Sequence, residues 1–265
     1  MKKQSPRSHN PSKVESAAPR YPKSWRLVGG NHAIREALKI HGRHSKLLLL
    51  RDDFEASEDL LELKKTGEKL RLQIQTRSRA SLEKTFSSNQ GALLYVDGAP
   101  SIRHLDKERS VVLILDGLED PQNLGAILRT SWLVGVDCVY IPQDRSVGLT
   151  PTVHKIASGG VEHVPVISTS HFESVIKDLK EKGYWVFGLE GTSRKNIYSL
   201  DLPEKIVWVV GSEDRGMRKG TSKLCDELVH IPQVSVEASY NASVAVGMAL
   251  AETQRQFFRK TKAFG

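Results

Sequence analysis

Cysteine is scarce in this chain: Cys138 and Cys225 are the only two among 265 residues, and they form no C-x-x-C pair. That disfavours a disulfide framework or a zinc site and makes a reducing cytoplasm the expected compartment. No apolar run approaches the roughly 18 residues of a membrane span, and Met1 to Pro6 is followed by no apolar segment that would open an export signal. Catalytic signatures are sparse too. There is no H-E-x-x-H, no G-x-S-x-G and no G-x-G-x-x-G after a strand. No metal is expected.

What is present begins with charge: 39 Lys and Arg against 31 Asp and Glu leave +8, which points to a polyanionic partner, nucleic acid ahead of a membrane surface. Hydrophobic residues at 39% and charged residues at 26% describe a globular chain, and its length predicts two domains of unequal size. Residues 1–23 carry Lys2, Lys3, Arg7, Lys13, Arg20 and Lys23 against the single acid Glu15 and have no apolar periodicity, so a basic, mobile tail is expected. Residues 24–100 alternate short strands and helices: a strand at 25–28, a helix opened by Asn31 as its cap, strands at 47–50, 72–76 and 92–96, and helices at 55–70 and 79–86. Residues 101–109 read as a linker. From 110 to 265 a larger α/β series follows, with strands near 111–115, 138–141, 164–167, 184–188, 206–210 and 228–231 and a closing helix from Asn241. Strands separated by helices imply a mostly parallel, buried sheet.

Three clusters carry possible chemistry. In Asp120-Pro-Gln-Asn-Leu-Gly-Ala-Ile-Leu-Arg129 a strand leaves into a polar loop, and Asn123 stands where a helix cap belongs. Gly211 to Gly216 has the spacing of a phosphate loop, but Met217 and Arg218 follow where Lys and Ser or Thr are needed, so nucleotide hydrolysis is not expected. Either a tight turn or a backbone-lined pocket fits these glycines. In the third cluster, Ile231 to Ala245, Ser239 or Asn241 could cap the last helix. Taken singly, Arg129 is more often a surface arginine and Asn123 a plain cap, and the stripe with Val244, Met248 and Phe257 reads as core or subunit interface before a cofactor box.

Together and in order, D-P-Q-N-L-G-A-I-L-R at 120–129, G-S-E-x-x-G-M at 211–217 and I-P-…-S-Y-N-A-S-V-A at 231–245 closely resemble the three motifs of the SpoU/TrmH branch of the SPOUT RNA methyltransferases. The resemblance extends to Pro142–Ser146 and Lys155–Gly160. Residues 24–100 resemble the small ribosomal-protein-like RNA-binding domain of RlmB-type 23S ribosomal RNA guanosine-2′-O-methyltransferases, through Gly30-Asn-His-Ala33, Glu36-Ala-Leu38 and Asn89-Gln-Gly-Ala92. The resemblance implies S-adenosylmethionine as methyl donor, a ribose 2′-hydroxyl of RNA as acceptor, no DNA partner, a homodimer, and a deep trefoil knot in the C-terminal domain. It implies that Gly211, Ile231 and Tyr240 hold the cofactor largely by backbone. It matches Arg129 to the catalytic arginine, Asn123 and Glu213 to the polar residues of the first two motifs, and Ser239 and Asn241 to the polar pair of the third. Tyr240 stands where such relatives usually carry leucine, and Asn89 where they carry histidine. A transfer-RNA 2′-O-methyltransferase and a noncatalytic RNA-binding or ribosome-assembly protein of the same fold are the alternatives.

Overall fold

The computed structural model describes residues 21–22, 24–98, 105, 107–144, 146–235 and 237–263, and the expected tail therefore falls almost wholly outside the described residues. Tyr21, assigned above to that tail, instead packs on the fold: its ring lies 5.7 Å from Trp25 and 4.2 Å from Tyr95.

The first sheet holds β1 (Trp25–Gly29), β2 (Ser45–Arg51), β3 (Gln73–Arg77) and β4 (Ala92–Asp97) in the order β1-β4-β2-β3. Its β4 runs antiparallel to both β1 and β2, while β2 and β3 are parallel. Two helices, α1 (Asn31–His41) and α2 (Glu58–Lys69), cover one face, burying Ile34, Leu38, Leu60 and Leu63 against Leu48, Leu50 and Leu94. The short α3 (Arg79–Thr85) lies towards the other face, where Leu82 joins Leu47, Leu49 and Leu93. Asn31 is not the cap of α1 but its first residue; Gly30, at φ +94°, holds the cap position.

The second sheet has seven strands, all parallel where paired: β5 (Ser110–Asp116), β6 (Cys138–Pro142), β7 (Val166–Thr169), β8 (Trp185–Leu189), β9 (Lys195–Asn196), β10 (Lys205–Gly211) and β11 (Glu227–His230). They lie in the order β7-β6-β5-β10-β8-β11-β9. The two central strands, S-V-V-L-I-L-D and K-I-V-W-V-V-G, are near-continuous apolar runs because both of their faces are covered, as parallel sheets require. On one side α4 (Pro121–Val134) and α9 (Ala242–Ala263) cover Leu113, Trp208 and Val210; on the other α7 (Phe172–Glu181) covers Val112, Val207 and Val209. The remaining helices are short: α5 (Pro151–Ala157), α6 (Gly160–His163) and α8 (Lys219–Ser222). No described helix is long and apolar enough to cross a membrane.

Strand order reverses between β5 and β10. Chain following β5 steps outward through β6 and β7, whereas β10, β8 and β11 build the other half, and the register sets Asp116 opposite Gly211 where both strands end. Ligand sites in open α/β sheets form at such a crevice beyond the carboxyl ends of the strands. The stretch before β5 is held firmly: Tyr184 Oη donates to the carbonyl of Leu105 at 3.4 Å, Lys107 pairs with Asp137, and Arg109 Nη1 donates to the carbonyl of Phe257 at 3.2 Å.

Candidate active site

Helix α4 starts earlier than the polar loop suggests. Asp120 is its cap, with Oδ1 accepting from the Gln122 backbone N–H at 2.8 Å, and Pro121 occupies the first turn, where its missing N–H costs nothing. Asn123 is therefore inside the helix rather than capping it. Its buried side chain turns to the neighbouring loop instead, where Nδ2 donates to Oε1 of Glu213. Motif one is thereby tied to motif two.

The loop after β10 is a tight return. A Cβ on Gly211 would stand 2.0 Å from Gly216 C and 2.1 Å from Met217 N, so glycine alone fits there. Ser212 and Gly216 exchange backbone hydrogen bonds at 3.2 and 2.9 Å, with Gly216 in the left-handed region at φ +63°. The loop's exit is clamped by Asp116, whose buried carboxylate accepts from Arg218 N at 3.0 Å and from Arg218 Nε at 2.6 Å. From sequence Arg218 counted only as a mismatch to a phosphate loop, and Asp116, at the end of β5, carried no assigned role.

The third cluster closes the opposite wall. Ile231 follows β11, Tyr240 Oη donates to the carbonyl of Pro232 at 3.0 Å, and Asn241 caps α9, its Oδ1 accepting from Ser243 N at 2.9 Å. Gly211, Glu213, Ile231, Ser239 and Tyr240 line one cavity of about 360 Å³, within the roughly 300–1,000 Å³ range of small-molecule sites. Glu190, after β8, lines it as well; only its place at a strand's carboxyl end could have drawn attention to it.

Three expected residues lie outside that lining, and Asn123 reaches it only through Glu213. Asn241 is occupied with its cap. Arg129 lies six residues beyond Asn123, about 9 Å along the axis at 1.5 Å per residue, and its exposed side chain makes no hydrogen bond or ion pair to another described residue. The departure at Asn89 is internal: its buried side chain donates to the carbonyl of Phe86 at 2.7 Å and accepts from Gly91 N at 2.7 Å, closing a turn rather than facing solvent. Burial pushes the thiols of Cys138 and Cys225 up to about 12, so neither is a nucleophile near neutrality. No group of three or more potential metal ligands occurs among the described residues.

The cavity lies beyond the carboxyl ends of β8, β10 and β11, on one side of the strand-order reversal, and the fold that carries it is that of the solved SpoU methyltransferases. The structure of AviRb from Streptomyces viridochromogenes in complex with AdoMet superposes with a TM-score of 0.78 over 89% of this chain and 91% of that one, at 21% identity. Residues 110–251 match the model of the SpoU rRNA Methylase family. The 23S rRNA (guanosine-2′-O-)-methyltransferase RlmB of Nitrosomonas europaea is 36% identical over 243 residues, 88% of this chain and 93% of its own. RlmB of Neisseria meningitidis serogroup B is 37% identical over 206 residues, 76% and 82% of the two chains. This chain belongs to the SpoU rRNA methylase family, and it is an RNA methyltransferase.

Proposed function

We propose that the protein methylates the ribose 2′-hydroxyl of a guanosine in 23S ribosomal RNA, with S-adenosylmethionine as donor. The observation that carries this reading is the 36% identity to the 23S rRNA (guanosine-2′-O-)-methyltransferase RlmB of Nitrosomonas europaea over 88% of this chain, and the cavity lined by Gly211, Ile231, Ser239 and Tyr240, with the Asn123–Glu213 hydrogen bond beside it, gives the donor a place. The donor fits that cavity by size and by the close backbone approach that Gly211 permits. When bound, it supplies an electrophilic methyl group.

The protein's own residues do the rest. Gly211, Ile231 and Tyr240 hold the donor through the main chain, and the pairing of Asn123 with Glu213 fixes the loop between them. Arg129 is the catalytic residue in this reading. Its guanidinium, which as a class stays protonated near neutrality, grips the RNA phosphate beside the reacting ribose and stabilises the alkoxide as the proton leaves to phosphate or water. Ser239 and Asn241 order the third loop. Positioning of the two reactants supplies much of the rate.

The same proposal covers organisation. Residues 24–100 select the RNA and 110–265 carry out the transfer in the cytoplasm, with a trefoil knot running through the loops that wall the cavity. The active unit is a homodimer built on α4 and α9, where Leu133 is 74% and Phe258 65% exposed. Gln254 Nε2 donates to the carbonyl of Val134, so the carboxyl end of α4 meets the middle of α9. Phe257, a candidate for that interface from sequence, lies in the core beneath the Arg109 guanidinium instead; Phe258 takes its place. Titration with S-adenosylmethionine, followed by mapping of 2′-O-methyl groups in a 23S transcript, tests the reading.

A further inference from the structure

Between the two sheets lies a buried ionic cluster with no part in the transfer chemistry. Glu162, on α6, has a fully buried side chain. Its carboxylate accepts from both terminal nitrogens of Arg26, with Nη1 to Oε1 at 2.7 Å. His41 Nε2 stands 3.1 Å from Oε2, and His154 Nδ1 3.3 Å from Oε1. Arg26 and His41 come from β1 and α1; His154 and Glu162 come from α5 and α6. A second contact runs alongside: Glu36 of α1 meets His163 Nε2 at 2.9 Å, and that imidazole stacks on Trp132 of α4 at 4.1 Å and 7°.

The fit is close enough to define one orientation. A Cβ on Gly159 would stand 2.6 Å from Glu36 Cγ, and one on Gly30 3.3 Å from Lys155 Cγ. A forked guanidinium–carboxylate pair is directional, and a buried charge that loses its partner is costly, so sliding or opening of this contact is opposed at every step. The contact also leads to the proposed active site. A Cβ on Gly160, which opens α6, would meet Leu128 O at 2.5 Å and Arg129 N at 3.0 Å, so the element bearing Glu162 rests directly on the turn bearing Arg129.

We infer that Glu162 is a positioning residue for site choice: it docks the RNA-selecting unit onto the methyltransferase unit in one orientation, so that RNA held by the first presents one ribose to Arg129. This rests on the function proposed above. The test uses full-length Glu162→Gln, Arg26→Met and the double variant Arg26→Met/Glu162→Gln, which leaves no unpaired charge and serves if the single variants fold poorly. For each, S-adenosylmethionine affinity, the radius of gyration from X-ray scattering, kcat and KM on a 23S ribosomal RNA transcript, and the map of 2′-O-methyl positions are measured. Affinity for S-adenosylmethionine should stay within about twofold of the parent, the radius of gyration should rise, kcat/KM should fall at least tenfold, and methyl groups should spread to neighbouring riboses. A merely structural role would lower yield without moving the methylated position. Folded variants that modify only the parental nucleotide, with kcat/KM unchanged or merely reduced, overturn the inference, as does an unchanged radius of gyration. If the parent binds S-adenosylmethionine but methylates no RNA, the proposed function fails instead, and scattering alone then decides whether Glu162 docks the units.

Discussion

The side-chain amide of Asn123 donates to the carboxylate of Glu213, joining the first turn of α4 to the loop that follows β10. This pairing, 90 positions apart in the chain, sets the wall of the proposed donor cavity. A hydrogen bond to a charged group contributes about 1.5–3 kcal/mol. Glu213→Gln should therefore weaken S-adenosylmethionine binding by about tenfold by calorimetry, and Asn123→Ala by a similar factor. Wild-type affinity in both would remove the pairing from the site.

Gly211→Ala should abolish donor binding. The added methyl would collide with the main chain of Gly216 and Met217, which cannot swing away as a flexible side chain could. Overpacking of this kind costs about 1–3 kcal/mol or more, so the melting temperature should fall as well. Gly220→Ala is the control, since a Cβ there meets nothing within 4 Å. Equal effects at the two positions would contradict the close approach.

Arg129→Ala should leave S-adenosylmethionine binding and stability nearly unchanged while removing most turnover. An exposed side chain without partners contributes little to the fold, within about 0.5 kcal/mol. Single-turnover rates at saturating RNA that match the parent would exclude Arg129 from catalysis.

How much of this was legible in the sequence depended on locality. The apolar runs of β5 and β10 announced buried parallel strands, but their pairing joins segments nearly a hundred residues apart, and no local pattern specifies it. Asn123 read as a cap because D-P-Q-N offers two candidates; Pro121 in the first turn selects Asp120 and releases Asn123. The four residues of α6 and the two of β9 are too short to show a period, so the element that carries Glu162 was invisible. Phe257 and Phe258 sit about 100° apart on α9, and only packing against Arg109 decides which is core. The order of the three motifs, by contrast, was plain from sequence.

Acid should destabilise the fold. Burial pulls the imidazole of His154 below its ordinary value, with Glu162 offsetting part of that. Burial alone would raise the carboxyl of Glu162, but His154, His41 and Arg26 outweigh it and hold it below the usual carboxylate range. Both groups bind fewer protons folded than unfolded, so their stabilisation is present above the unfolded values, about 6.5 for His and 4.3 for Glu, and is lost as pH falls below each. The melting temperature should be lower at pH 5.5 than at 7.5 and lower again at 4. A melting temperature that rises on acidification would contradict the assignment.

The most direct measurement is transfer of labelled methyl from S-adenosylmethionine to a 23S ribosomal RNA transcript by the full-length protein, followed by nuclease digestion and mass spectrometry. One 2′-O-methylguanosine, formed by the parent and absent with Arg129→Ala, is the expected product. Label on a base, or donor binding with no label in RNA, would contradict ribose methylation.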